Sequence, residues 1–169
     1  TEVVTGADGT IAGLHVLRDQ HGADLVSLFI NDGTYCGLAW LPLPSAATAG
    51  LGYSVLGGGS CPVANKSFVH ELGHNMGAHH DPYVAPGAGA YAYSHGMVNL
   101  VARWRTVLSY NNQCTATAPG TSCTRVQYLS NPRLTYGGAP MGDATARNNA
   151  HTLNKTAKAI AAYRPTSAL

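Results

Sequence analysis

Charge is what this sequence has least of: 11% of its 169 residues are Asp, Glu, Lys or Arg, against roughly 25% in an ordinary soluble domain. Its ten basic residues are scattered, with Arg103 and Arg105 the closest pair, so the clustered cationic face of a nucleic-acid binder is missing. No apolar run approaches the ~18 residues that a bilayer span requires. Cys-x-x-Cys pairs are absent too, which argues against a thiolate zinc site and against thioredoxin-like redox chemistry. Glutamate is the rarest of the charged residues. Only Glu2 and Glu71 occur, and Glu71 stands inside His70-Glu71-Leu72-Gly73-His74.

What is present points to a folded globule. An apolar content of 45% with a net charge of +2 is unlike the polar, highly charged composition of disordered chains. A chain of this length buries roughly 70% of its unfolded surface, enough for a core without disulfides. One domain over residues 1–169 is therefore expected. Cys36, Cys61, Cys114 and Cys123 lie in loop-like sequence. Two disulfides are expected, and of the three pairings Cys36–Cys61 with Cys114–Cys123 is preferred because each closes a local loop. Disulfides persist outside the reducing cytosol, so the chain reads as secreted. It carries no signal peptide and reads as a mature or trimmed chain.

Periodicity places the elements. Ile11, Leu14 and Leu17 recur at helical spacing between Thr10 and His21, and Gly22 follows where a left-handed cap is wanted. Asp24 to Ile30 reads as a strand buried on both faces. Cys36–Leu41 and Gly52–Leu56 are further strands, joined by a Pro-, Ser-, Ala- and Gly-rich connection with no regular structure expected. Gly57-Gly58-Gly59 has no Gly-Lys-Ser/Thr after it and reads as a flexible turn rather than a phosphate cradle. A helix is expected over Ala64–Met76, capped by Asn65, with Val69, Leu72 and Met76 packing on the side opposite His70 and His74. Pro82 to Leu100 is too irregular for a long helix. A last helix starts near Asp143 and stops before Pro165, with Ala146, Ala150, Leu153, Ala157 and Ile160 as its stripe.

The chemistry lies in the histidine cluster. Residues at i and i+4 share a helix face, so His70 and His74 can hold one ion at the ~2.0–2.1 Å that zinc prefers. Glu71 beside them is placed to take a proton from an activated water. Gly77 can turn the chain with a positive φ, and His80 or His79 can return as third ligand; the spacing favours His80. Three neutral imidazoles leave the fourth zinc position open, as in a catalytic site.

His70 to His80 fits the longer H-E-x-x-H-x-x-G-x-x-H pattern, and with Asp81 after the third histidine the chain resembles the metzincin metallopeptidases of the reprolysin or adamalysin-like bacterial branch. Arg105-Thr106-Val107-Leu108-Ser109-Tyr110 is similar to the family's Met-turn, with Leu108 where the methionine stands. The likeness continues through Cys114–Cys123, Tyr128-Leu129-Ser130-Asn131-Pro132 and the final helix, and is close to peptidyl-Asp metalloendopeptidase sequences. It implies an α+β, zincin-like metzincin catalytic domain. Its parts are a mixed twisted sheet with an antiparallel edge strand, an active-site helix and a C-terminal helix, without the usual strand, helix and strand before them. It also implies a zinc endopeptidase with His70, His74 and His80 as metal ligands and Glu71 as general base. The substrate is a protein or peptide lying extended along the edge strand Cys36–Leu41. No nucleic acid or membrane partner is expected, and the chain reads as a monomer.

Individual residues carry competing readings. Tyr110 stands where astacin- and serralysin-like enzymes carry a tyrosine that hydrogen-bonds the oxyanion, whereas a tyrosine packed beside the turn is the plainer role. His79 is expected to face outward, with ligation as its alternative. Asp81 reads as an anchor for the loop after His80 rather than a ligand. His15, His21, His95 and His151 lack ligand spacing and receive no role. A preference for Asp in the substrate follows only from the resemblance. The alternative function is a zinc-containing binding module of the same fold without turnover, motivated by Leu108; a zinc amidase or deacetylase is a third reading.

Overall fold

The computed structural model describes residues 13–165. Their helices and small mixed sheets form an α+β chain divided into two compact units: residues up to Met76 together with Thr156 onward, and Gly77–Lys155.

The first unit opens with α1 (Leu14–Gln20). Gly22 follows it at φ 58°, a left-handed conformation that costs glycine little. The expected residues 10–12 of this helix lie outside the described ones. Arg18 points inward from α1, 4.7 Å over the Tyr53 ring, with its Nε donating to the Ala23 carbonyl at 2.9 Å. The sheet consists of β1 (Val26–Phe29), β2 (Gly37–Ala39) and β3 (Tyr53–Leu56). Central β3 runs parallel to β1, with Val26 opposite Tyr53, and antiparallel to β2, with Gly37 opposite Leu56. The expectation that residues 24–30 are buried on both faces is corrected. Central β3 holds the fully buried positions, while β1 lies at an end of the three described strands with Phe29 56% exposed.

Two further readings change in this unit. Ala46–Leu51 is a 3-10 helix, not irregular chain. Ser45 and Thr48 close a reciprocal capping box, Ser45 N–H donating to Thr48 Oγ1 at 2.9 Å, and alanines favour the helical turn they start. Gly57-Gly58-Gly59 is a turn as expected, pinned by Gly57 N–H to the Cys36 carbonyl at 3.2 Å and Gly58 N–H to the Asp32 carbonyl at 3.0 Å.

Helix α2 (Ser67–Asn75) starts later than expected, after Lys66 at φ 60°, and Asn65 is not its cap. Asn65 Nδ2 instead approaches Cys36 Sγ at 3.6 Å, beside the Cys36–Cys61 disulfide. The packed face is also reversed: His70, Glu71, Gly73, His74 and Asn75 are buried and Val69 is 47% exposed. Hydrogen bonds explain the reversal. Asn75 Nδ2 donates to the carbonyls of Trp40 and Tyr53 at 3.1 Å and of Leu51 at 3.3 Å, tying α2 to the chain around β2 and β3.

The second unit holds β4 (Val98–Asn99), β5 (Trp104–Arg105), α3 (Asn112–Thr117), β6 (Thr124–Arg125), β7 (Asn131–Tyr136) and β8 (Ala139–Met141), and most of α4 (Asn149–Ile160). Strand β5 pairs antiparallel with β4 and parallel with β6. The Cys114–Cys123 disulfide joins α3 to the segment leading into β6, so both disulfides follow the preferred pairing. The irregular stretch expected over 82–100 is present, with β4 as its short strand. Trp104, Val126 and Met141 form one core cluster, and Ala78, Val107 and Leu108 form another with Leu129 and Leu153 against it.

Helix α4 begins at Asn149, not near Asp143. Asp143 holds a preceding turn, accepting N–H groups from Ala146 at 2.6 Å and Thr145 at 3.2 Å and pairing with Arg147 at 2.9 Å. Asn148 Oδ1 then accepts the His151 N–H at 3.1 Å, and Ser130 Oγ accepts the Asn149 N–H at 2.8 Å. The expected stripe holds in part: Ile160 is buried and Leu153 packs against a core cluster, but Asn149, Thr152 and Thr156 are the other buried positions and Ala157 is exposed. Ser94 Oγ and Thr152 Oγ1 share a hydrogen bond of 2.7 Å, and Thr156 Oγ1 donates to the Met76 carbonyl at 2.8 Å.

Asn75→Ala removes one donor group from three backbone carbonyls. It is expected to lower the unfolding free energy by about 2–4 kcal/mol in urea titration; a loss below about 0.5 kcal/mol, the scale of a neutral surface change, would sink this account. Burial pushes the Asp143 carboxyl up, but the Ala146 and Thr145 amides and the Arg147 guanidinium outweigh it and hold it below the ordinary range. The stability this supplies is present above the unfolded pKa of about 3.9 and lost as pH falls through the lower folded value. Asp143→Asn should therefore flatten the acid limb of the stability–pH curve measured by thermal melts.

Candidate metal centre

Helical spacing brings two imidazoles together. His70 and His74 lie one turn apart on α2, buried, with their Nε2 atoms 3.1 Å from each other and ring centroids at 4.7 Å. Gly77 takes φ 88° just past the helix, where a side chain would be strained. His80 supplies the third nitrogen, and one ring nitrogen from each of His70, His74 and His80 lies within 4.8 Å of the others. A tetrahedral ion bound at 2.0–2.1 Å would set its ligand nitrogens about 3.3 Å apart, close to the separation of the helical pair. Three imidazoles without a thiolate suit a borderline divalent ion such as zinc. The residues fit such an ion.

His79 is not in this set, and it does not face outward as expected. Its half-buried ring stacks on His95 with centroids 5.7 Å apart. Burial, assisted by His95, pushes its pKa below the ordinary histidine value. The backbone explains the placement: His79 N–H donates to the Ser94 carbonyl at 2.6 Å and its carbonyl accepts the Gly96 N–H at 3.1 Å. His95, given no role by spacing, is buried and its Nδ1–H donates to the His80 carbonyl at 2.7 Å. It fixes the backbone of a ligand candidate from fifteen residues away. Only a folded backbone could reveal this contact.

Glu71 is buried against the edge of the sheet. A Cβ on Gly37 would fall 2.6 Å from Glu71 Cγ and 2.7 Å from Cδ, so the close approach of β2 to the carboxylate requires glycine. Leu108 is fully buried with Ala78 and Val107, in a turn closed by Ser109 N–H to the Thr106 carbonyl at 3.0 Å. It supplies an apolar floor without the polarisable thioether of methionine. Asp81 is a buried anchor, as expected. Its Oδ2 accepts the Tyr110 N–H at 2.8 Å, and its carbonyl accepts the Val84 and Ala85 amides. The Tyr110 ring lies 4.2 Å from that of His80, and the residue is 38% exposed.

A helix that presents two histidines with a glutamate between them, and a third histidine that returns after a glycine, has the residues of a metallopeptidase. The family model for metallo-peptidase family M12B, reprolysin-like, matches residues 5–81, and the chain is similar there to the reprolysin-like metallopeptidases. It is 37% identical over 161 residues to a peptidyl-Asp metalloendopeptidase of Stenotrophomonas maltophilia, covering 94% of this chain and 36% of that protein. A protein of the same name from Xanthomonas campestris is 36% identical over 157 residues, covering 93% of this chain and 35% of its own length. The chain thus spans about a third of these relatives. A similar fold occurs in a solved structure described as a chaperone-substrate complex, with a TM-score of 0.66 at 22% identity over 95% of this chain and 24% of that one.

His80→Ala should weaken zinc binding by more than the roughly 10- to 100-fold typical of losing an outer hydrogen-bond partner. Competition against a chromophoric chelator measures this, and unchanged affinity would remove His80 from the ligand set.

Proposed function

We propose that this chain is the catalytic part of a secreted zinc endopeptidase with a zincin-type topology. The carrying observation is the convergence of His70, His74 and His80, together with the buried Glu71 on the same helix. When bound, zinc polarises the scissile carbonyl and makes water more acidic. Glu71 accepts the proton of the attacking water on a carboxylate oxygen as the new C–O bond forms. It returns that proton to the amine nitrogen as the C–N bond breaks. His70, His74 and His80 hold the ion through ring nitrogens. Tyr110 donates its hydroxyl to the oxyanion, a role supported by its ring contact with His80.

Strand β2 is the substrate-binding edge. It ends the described order β1-β3-β2, so an extended peptide can add to it through main-chain hydrogen bonds. The Gly37 contact brings that edge up to Glu71. Relatives named for a peptidyl-Asp bond support substrates with an aspartate beside the cleaved bond. Two disulfides support an oxidising, extracellular setting, and among the described residues no helix is long and apolar enough to cross a membrane.

Glu71→Gln should cut casein hydrolysis by about 10²–10⁴-fold while zinc content stays at one equivalent. Equal rates, or no hydrolysis by the zinc-loaded wild type, would instead favour a binding module that holds the ion without turnover. Gly37→Ala should also lower turnover by displacing the carboxylate, with zinc affinity unchanged.

A further inference from the structure

Consecutive residues of one segment hold the backbone from which His80 projects. The His79 N–H donates to the Ser94 carbonyl at 2.6 Å and the His79 carbonyl accepts the Gly96 N–H at 3.1 Å, an isolated parallel bridge between His79 and His95. That bridge uses main-chain groups alone and stops at His79. At the next residue the acceptor is the His80 carbonyl and the donor is a side chain, with His95 Nδ1 at 2.7 Å. A carbonyl oxygen only accepts, so Nδ1 carries the hydrogen of this contact.

The donor is itself held in place. His95 is 4% exposed, and its ring stacks on that of His79 with centroids 5.7 Å apart at 24°. Ser130 Oγ donates to the His95 carbonyl at 2.6 Å, and Ser94 Oγ shares its 2.7 Å hydrogen bond with Thr152 Oγ1 on α4. A Cβ on Gly96 would fall 3.1 Å from the Ser109 amide nitrogen, so the segment also lies against the turn that contains Leu108. All these groups belong to the second unit. Main-chain bridging accounts for the course of the chain at His79, but it does not call for a buried imidazole. Such a ring is costly to bury unless its N–H finds an acceptor, and an apolar side chain would fill the space without that cost. The imidazole adds a donor aimed at the backbone of His80. Against the other end of that residue lies the Tyr110 ring, with centroids 4.2 Å apart.

We propose that His95 is a positioning residue for the metal centre: through the His80 carbonyl it sets the direction from which the third imidazole meets the ion. The inference rests on the three-histidine site and goes beyond it, because His95 is not among the converging nitrogens. A ligand residue whose backbone is already ordered loses less conformational freedom when the ion binds. Hydrogen-bond partners behind metal ligands set affinity by roughly 10- to 100-fold.

Two measurements report on the ion without turnover: zinc affinity by competition against a chromophoric chelator, and the visible absorption bands of the cobalt(II)-loaded protein, which follow ligand geometry. His95→Phe keeps a flat ring and removes the donor; it should weaken zinc binding about 10- to 100-fold and shift the cobalt bands. His95→Asn places an amide nitrogen near the position of Nδ1 and should stay within about threefold of wild type. His95→Gln carries its nitrogen toward the Nε2 position instead. It should behave like His95→Phe, and it takes that variant's place if the phenylalanine protein does not fold. Wild-type affinity and bands in the donor-displacing variant would overturn the role, as would an Asn variant as weak as it. Weaker binding with unchanged bands marks a loss of stability alone and also overturns it. A wild type that binds zinc no more tightly than His80→Ala loses the metal centre itself, and the role with it. Casein hydrolysis is scored apart, so a protein that passes these tests yet cleaves nothing keeps the positioning role and loses the peptidase reading.

Discussion

The first unit depends on burying the polar face of α2. Two imidazoles, a carboxylate and an amide turn inward from one helix, while Val69 is left half-exposed to water. Such groups are costly to bury unless each finds a partner. The Asn75 Nδ2 group meets this condition with three backbone carbonyls, and Gly37 withholds a side chain where Glu71 needs room. The sheet is built around this demand. Its central strand presents Tyr53, whose carbonyl is one of Asn75's acceptors, and the edge strand approaches as closely as glycine permits.

The second unit solves a matching problem at the other end of the histidine segment. Ala78 packs on Val107 and Leu108, and Asp81 holds the Tyr110 amide. One apolar contact and one hydrogen bond therefore brace the chain on either side of His80, while His95 fixes its carbonyl. Substituting leucine for methionine in the turn keeps the apolar contact, because the contact needs volume and shape more than sulfur.

The candidate site was largely legible because its signal is local. The spacing of His70, Glu71 and His74 fixes their relation on a helix, and Gly77 permits the return that selects His80 over His79. What was not legible depends on partners distant in sequence. The start of α4 is set by Asn148 and by Ser130, a residue from another segment. Its inner face is Asn149, Thr152 and Thr156 because Ser94 and the Met76 carbonyl lie opposite to bond two of them. Hydrophobic periodicity favours Ala157 and misses them. Strand β1 was over-buried in expectation because an apolar run does not disclose whether its strand is central or at an end. His95 carried no signal at all, since its acceptor is a backbone carbonyl.

The Cys36–Cys61 bond gives the first unit a different kind of constraint. Cys36 immediately precedes Gly37, and Cys61 lies in the turn leading into α2. The bond therefore closes a loop with a sequence separation of 25 around β2, the 3-10 helix and β3. Chain-entropy arguments assign a closure of this size about 3 kcal/mol. Strand edge and carboxylate are thus neighbours by covalent connectivity as well as by packing, and thermal motion that loosens the sheet still leaves them tethered on a short leash.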